Sequence, residues 1–169
     1  MTEREELYFK NTTEWRQWLE KNYDSSTGIY LIFYKVSSDK ESMRWEEAVK
    51  EALCFGWIDS TVKRLDDERR RQYFCPRKPK SVWSKLNKTY IVQLIAENKM
   101  HESGSLKMIA AIKDGSWIAL DDVENLIIPK DLQTACTHSP TADKHSQNFS
   151  PSYSRSYLSC LTPAQRDAT

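Results

Sequence analysis

Apolar residues recur along this chain at two spacings, and the switches between them mark out its elements. Trp15, Trp18 and Leu19 fall at i, i+3 and i+4 behind Asn11-Thr12-Thr13-Glu14. That cap-then-acid spacing predicts a helix over 13–22 with both indoles on one buried face. After the turn Asp24-Ser25-Ser26-Thr27-Gly28, the run Ile29-Tyr30-Leu31-Ile32-Phe33-Tyr34 is apolar at odd and even positions alike. This is the pattern of a central strand, 29–35, covered on both faces. Trp45, Ala48, Val49, Ala52 and Leu53 then restore a 3.6-residue stripe over 43–55, with Ser42 as its expected cap and Gly56 as its stop. Residues 57–65 and 69–75, joined by Asp66-Asp67-Glu68, read as a β-hairpin.

The prolines of Pro76-Arg77-Lys78-Pro79-Lys80 exclude a helix, so the hairpin leaves by an extended loop. A helix over 85–98 follows, capped by Ser81 or Ser84, with Leu86, Tyr90, Ile91, Leu94 and Ile95 on its apolar stripe and a left-handed exit at Asn98. Another over 103–114 is expected to set Leu106, Ile109, Ala110 and Lys113 on one face and to stop at Gly115. Trp117 lies in a connection reaching Leu126-Ile127-Ile128-Pro129. Between 134 and 162, 11 residues are serine or threonine, and the packing signal thins. Ser139-Pro140 and Ser150-Pro151 still make cap-plus-first-turn pairs. Tyr153, Tyr157, Leu158 and Leu161 keep a helical spacing after the second, with Thr162-Pro163 expected to end or kink that helix. The expected fold is α+β: a core domain over 1–133, in which several helices pack a small, mainly antiparallel sheet containing the hairpin. A Ser/Thr-rich, short-helical C-terminal segment over 134–169 packs on the core or trails it.

Composition narrows the class. With 39% hydrophobic and 29% charged residues the chain suits one folded core, and no apolar run approaches the roughly 20 residues that span a bilayer. The opening Met1-Thr2-Glu3-Arg4-Glu5-Glu6 carries no secretory or lipidation pattern, so a cytoplasmic location is expected. Cys54, Cys75, Cys136 and Cys160 are dispersed, without the spacing of a zinc site, and are expected as free thiols with no metal. His101, His138 and His145 read as surface or capping residues. The chain has 4 glycines and lacks a phosphate loop, a dinucleotide fingerprint and a G-x-S-x-G elbow, so no cofactor is expected. Cys54, at the negative end of its helix, reads as a packed thiol. Cys75, near Arg71, Arg77 and Lys78, is the better reactive candidate.

A net charge of +1 conceals a division along the chain. Basic and acidic residues number 8 and 12 over 1–60, 10 and 3 over 61–88, and 7 and 9 over 89–169. The surplus of positive charge therefore sits on the hairpin and its exit loop, interleaved with Trp57, Tyr73, Phe74 and Trp83. Guanidinium groups beside aromatic faces suit anion contact. The competing reading is that Arg69 and Arg71 pair with acids of the N-terminal segment while the other side chains are solvated.

Two long motifs cover this region: Glu51-Ala52-Leu53-Cys54-Phe55-Gly56-Trp57-Ile58-Asp59-Ser60 and Phe74-Cys75-Pro76-Arg77-Lys78-Pro79-Lys80-Ser81-Val82-Trp83-Ser84-Lys85-Leu86-Asn87. They resemble the YdeI/OmpD-associated family of bacterial proteins, often labelled bacteriocin-protection proteins. The similarity continues through Glu14-Trp15 to Leu19, through Pro129-Lys130-Asp131-Leu132 and through Ser150 to Tyr157. What it implies is a link to protection against antimicrobial peptides, with no reaction attached. Cys75 and Asn98 depart from the family pattern, which has a small hydroxyl residue and a glycine there.

If the strand starting at Trp57 and the loop 76–84 meet at one end of the hairpin, Trp57, Asp59, Arg77, Lys78, Trp83, Ser84, Lys85 and Asn87 come together as a polar-aromatic ligand site. The leading expectation is a non-enzymatic cytoplasmic binding protein whose partner is a small anionic ligand or an acidic protein surface. The alternatives are an enzyme on a small anionic substrate at the Asp59/Arg77/Trp83/Lys85 cluster and a weak nucleic-acid binder, for which no aromatic RNA-binding strand is present.

Overall fold

Asn11 opens the first helix as its spacing predicts. From extended backbone its side-chain oxygen accepts the Glu14 N–H at 3.0 Å, while Glu14 Oε2 accepts the Lys10 N–H at 3.0 Å. Helix α1 (Thr12–Asn22) thereby starts with Trp15 and Leu19 aimed into the core. The computed structural model describes residues 4–166; Met1 to Glu3 of the charged opening and the last three residues of the C-terminal segment lie outside it.

A four-stranded sheet, in the order β1-β2-β4-β3, is built from β1 (Glu6–Tyr8), β2 (Ile29–Tyr34), β3 (Trp57–Arg64) and β4 (Arg69–Pro76). The β3–β4 hairpin and the β2–β4 pair are antiparallel, as expected, and β2 is an inner strand. The three-residue β1, which pairs parallel with β2, is too short to betray itself by alternation. One face of the sheet presents Leu31, Phe33, Phe74 and Trp57 to α1 and to α2 (Trp45–Cys54). The other is covered largely by long side chains of the sheet itself, with Arg71 over the Tyr30 ring at 4.3 Å and Tyr30 beside Tyr73 at 5.3 Å. An uninterrupted apolar strand therefore reports enclosure on both sides, here supplied partly by aromatic and guanidinium groups.

Trp15 lies at the centre of the core, fully buried. Its ring stacks on Trp18 at 5.4 Å, meets Phe74 edge-on at 5.8 Å, and donates Nε1–H to Ala48 O at 3.1 Å. Ser42 does not cap α2. Its hydroxyl accepts the Tyr34 N–H at 3.2 Å and ties the preceding loop to β2, while Glu47 accepts the Arg44 N–H at 2.6 Å and starts the helix two residues later. Gly56 ends that helix with φ 75°.

Helix α3 (Lys85–Ala96) is capped by Ser84, whose hydroxyl accepts the Asn87 N–H at 3.2 Å, and Asn98 follows it in the left-handed region at φ 54°. Its buried face is Tyr90, Ile91 and Leu94, whereas Leu86 and Ile95 lie outside it. The departure is larger in α4 (Glu102–Asp114). Leu106, Ile109 and Ile112 are exposed, and the contact face is Gly104, Met108 and Ala111. The reason is proximity: Cys54 O accepts the His101 N–H at 3.1 Å, and Phe55 O accepts from Ser103 Oγ at 3.1 Å. The end of α2 and the start of α4 touch so closely that small residues, and not the largest apolar ones, face inward.

The connection after Gly115 contains a short helix, α5 (Asp121–Glu124), and is followed by α6 (Lys130–Thr137), α7 (Pro140–Gln147) and α8 (Pro151–Arg166). Both helices start at the expected Ser-Pro pairs, but only Ser150 caps, its hydroxyl accepting the Tyr153 N–H at 3.2 Å, whereas Ser139 makes no capping bond. Helix α8, however, continues through Thr162-Pro163 to Arg166, since a proline so close to a helix end removes only one backbone bond. Helix α8 packs on α5, and Leu158 is buried. No helix among the described residues is long and apolar enough to cross a membrane.

Candidate functional site

The exit loop of the hairpin is held by backbone before any side chain acts. Trp57 pairs with Pro76 at the end of the ladder, and Arg77 N–H donates to Gly56 O at 2.9 Å, so the Arg77 side chain leaves the hairpin beside the end of α2. Gly56 also makes room for α4: a Cβ there would lie 2.6 Å from Lys107 Cγ. The loop then turns, with Ser81 N–H donating to Lys78 O at 3.3 Å and Lys80 in the left-handed region at φ 59°, a strained setting for a residue with a Cβ. This turn brings the Trp83 ring to 3.7 Å from the Arg77 guanidinium carbon.

Arg77 is only 3% exposed. Its Nη1 donates to Val82 O at 3.1 Å and to Ser81 Oγ at 3.5 Å, but Nε and Nη2 are buried without a hydrogen-bond partner. Those two nitrogens form the side-on edge of a guanidinium, whose parallel N–H groups match two oxygens of a carboxylate or phosphate. Burial pushes the Arg77 pKa down to about 10, with the charge of Asp59 pulling the other way. A lowered value means that the surroundings disfavour the charged form, and a bound anion would reverse that. Beside Arg77 is a cavity of about 80 Å³, lined by Lys78, Lys80, Trp83, Lys107 and Ser116 among others. The buried Ser116 hydroxyl makes no hydrogen bond of good geometry, but it lies beside the Asp114 carboxylate and, with its own N–H, helps hold the Asp114 pKa down.

Of the residues expected to converge, Arg77, Lys78 and Trp83 line this cavity and the others do not. Trp57 is wholly buried and donates Nε1–H to Tyr23 O at 3.0 Å. Asp59 Oδ2 accepts from Trp45 Nε1 at 2.8 Å and from Gln72 Nε2, so its carboxylate is engaged inside the fold. Ser84 and Asn87 form the cap of α3, and Lys85 is exposed, its N–H directed at Glu124 Oε1 at 3.4 Å. Lys107 and Ser116, which complete the cavity, come from α4 and the residue after its glycine stop. No spacing in the sequence connects them to Arg77.

The hairpin cations are mostly paired. Arg64 bonds Asp67, Arg69 bonds Asp66 at 2.7 Å, and Arg71 bonds Glu6. Arg71 thus finds an N-terminal acid, as the competing reading expects, whereas Arg69 finds one in its own turn because three residues of hairpin separate them. Among the described residues, Lys78, Lys80 and Lys107 form no ion pair.

Neither Cys75, the expected reactive candidate, nor Cys54 is activated as a nucleophile. Burial raises the Cys75 pKa despite Lys78, Arg4 and Arg77 nearby. Burial, reinforced by Glu51, pushes Cys54 up to about 11. Since the folded chain holds that proton more tightly than the unfolded one, this stabilisation is complete below the ordinary thiol value of 9.0 and is lost as pH rises through about 11. Cys54→Ala should therefore flatten the fall of Tm with pH across that window; an unchanged alkaline slope would contradict the assignment. His101 caps α4, its Nδ1 accepting the Ser103 N–H at 3.2 Å. Among the described residues, no three His, Cys, Asp or Glu side chains are grouped to hold a metal ion.

No curated protein and no solved structure matches the chain. Residues 7–107 match a family described as a domain of unknown function, DUF8412. That span runs from β1 to the Lys107 wall of the cavity and covers more than half of the sequence, and the chain belongs to this family.

Proposed function

We propose that this protein is a non-enzymatic, cytoplasmic binding protein that holds a small anion at Arg77. The observation that carries the reading is a guanidinium buried to 3% exposure with its bidentate edge unpartnered. Leaving buried donors unsatisfied costs about 1–3 kcal/mol each, more where charge is involved, and an anion offsets that cost directly. The edge has no solvent contact, so the ligand reaches it by movement of the strained turn at Lys80. A compartment that keeps thiols reduced is consistent with four free cysteines. The resemblance of both central motifs to the bacteriocin-protection family supports a role in defence against antimicrobial peptides.

Arg77→Met separates a binding role from a purely structural one. In anion-free buffer the variant should lie within about 1 kcal/mol of wild type, because losing the Val82 contact is offset by removing an uncompensated charge. With inorganic phosphate or acetate at fixed ionic strength, the Tm of wild type should rise and that of the variant should not. If neither anion moves wild type, or both proteins respond alike, Arg77 holds no ligand.

A further inference from the structure

We infer that the ligand of the Arg77 cavity is a phosphate-type dianion, presented as a free ion or as the head of a phosphomonoester. This rests on the reading of Arg77 as the anion-binding residue and adds the class of anion. The first observation is charge. Arg77, Lys78, Lys80 and Lys107 line the cavity against one acid, Asp114, and none of the three lysines is committed to an ion pair among the described residues. Asp114 Oδ1 is held at 2.9 Å by the Ser116 N–H, and its charge answers part of that of Lys80 without forming an ion pair. A monovalent carboxylate satisfies the Arg77 edge and leaves Lys78 and Lys107 unanswered; a dianion with three outward oxygens answers both.

The second observation is donor geometry. Nε and Nη2 of Arg77 supply a parallel pair, and the ammoniums of Lys78, Lys80 and Lys107 supply mobile donors from the loop and from α4. A planar carboxylate has two oxygens in one plane and is used up by the Arg77 edge. A tetrahedral group retains oxygens out of that plane for α4 and the loop. Size is the third. The resting space of about 80 Å³ is on the scale of one tetrahedral oxyanion, and the same movement of the Lys80 turn that uncovers the Arg77 edge joins the two, so any organic part of an ester lies outside, where the exposed residues of the loop and α4 begin.

The test uses inorganic phosphate, phenyl phosphate, acetate and chloride, with thermal shift and calorimetric titration at constant ionic strength on the full chain. The inference expects phosphate or phenyl phosphate to bind at least about tenfold more tightly than acetate, with chloride inert. Lys80→Ala and Lys107→Ala should each weaken that binding about tenfold, while Arg77→Met abolishes it. Affinity for phenyl phosphate should fall as pH drops through about 6, where the second proton returns. Equal response to inorganic and phenyl phosphate identifies the phosphoryl group as the recognised unit, and preference for either names its source; both outcomes support the inference. Acetate binding as tightly as phosphate through Arg77 would overturn the dianion while leaving the anion site intact. Silence of wild type towards every anion would overturn both.

Discussion

Trp15→Ala should remove about 3–5 kcal/mol of stability, a large share of the 5–15 kcal/mol typical of a folded domain. The site cannot collapse around the missing indole, because its walls are themselves rigid rings: Trp18 stacked on one side, Trp57 and Phe74 edge-on, and Phe9 at 5.4 Å. The indole also joins two layers, since Nε1 reaches from α1 to Ala48 O on α2. Trp15→Phe keeps most of the area and loses the hydrogen bond, so a cost of about 1–2 kcal/mol is expected. Urea unfolding followed by circular dichroism measures both. Equal midpoints for the alanine variant and wild type would remove Trp15 from the core.

Gly104→Ala sets two effects of opposite sign against each other. In a helix interior alanine is favoured over glycine by about 0.5–1 kcal/mol, and α4 extends on both sides of Gly104. Yet a Cβ at this position would lie 2.1 Å from Cys54 O and 2.8 Å from Leu53 O, both backbone atoms that cannot rotate away. Helix α4 is also tied there by the His101 and Ser103 bonds to the end of α2. The clash should win, with a net loss of about 2–3 kcal/mol and a fall in Tm of about 5–10 °C. A rise in Tm would mean that the two helices do not approach so closely.

The same contact explains what could and could not be read from the chain. Features decided within a few residues were legible: the Asn11 cap, the Gly56 stop, the hairpin and its proline-fixed exit, and the left-handed Asn98. Helix α4 was legible as a helix but not in its orientation, because hydrophobicity favours Leu106 and Ile109 whereas the geometry of approach favours Gly104 and Ala111. At the candidate site the loop and Arg77 were legible. Asp59 was not readable as an internal partner, because the groups that bond it, the Trp45 indole and the Gln72 amide, are spoken for only after the strands pair. Lys107 and Ser116 join the cavity through the packing of α4, which no local pattern encodes.

The self-pairing of the hairpin tip has an effect beyond its own turn. Arg64 and Arg69 are matched by Asp67 and Asp66 within three residues, so at distances past the screening length of about 8–10 Å the tip looks close to uncharged. Lys63 and Arg70, which form no ion pair among the described residues, leave the tip a small positive remainder, and Lys78, Lys80 and Lys107 add the larger share from the exit loop and α4. On the proposed anion-binding reading, the stronger pull on an approaching anion lies at the exit loop and α4, and the most arginine-rich stretch of the sequence serves largely as the support that holds them in place.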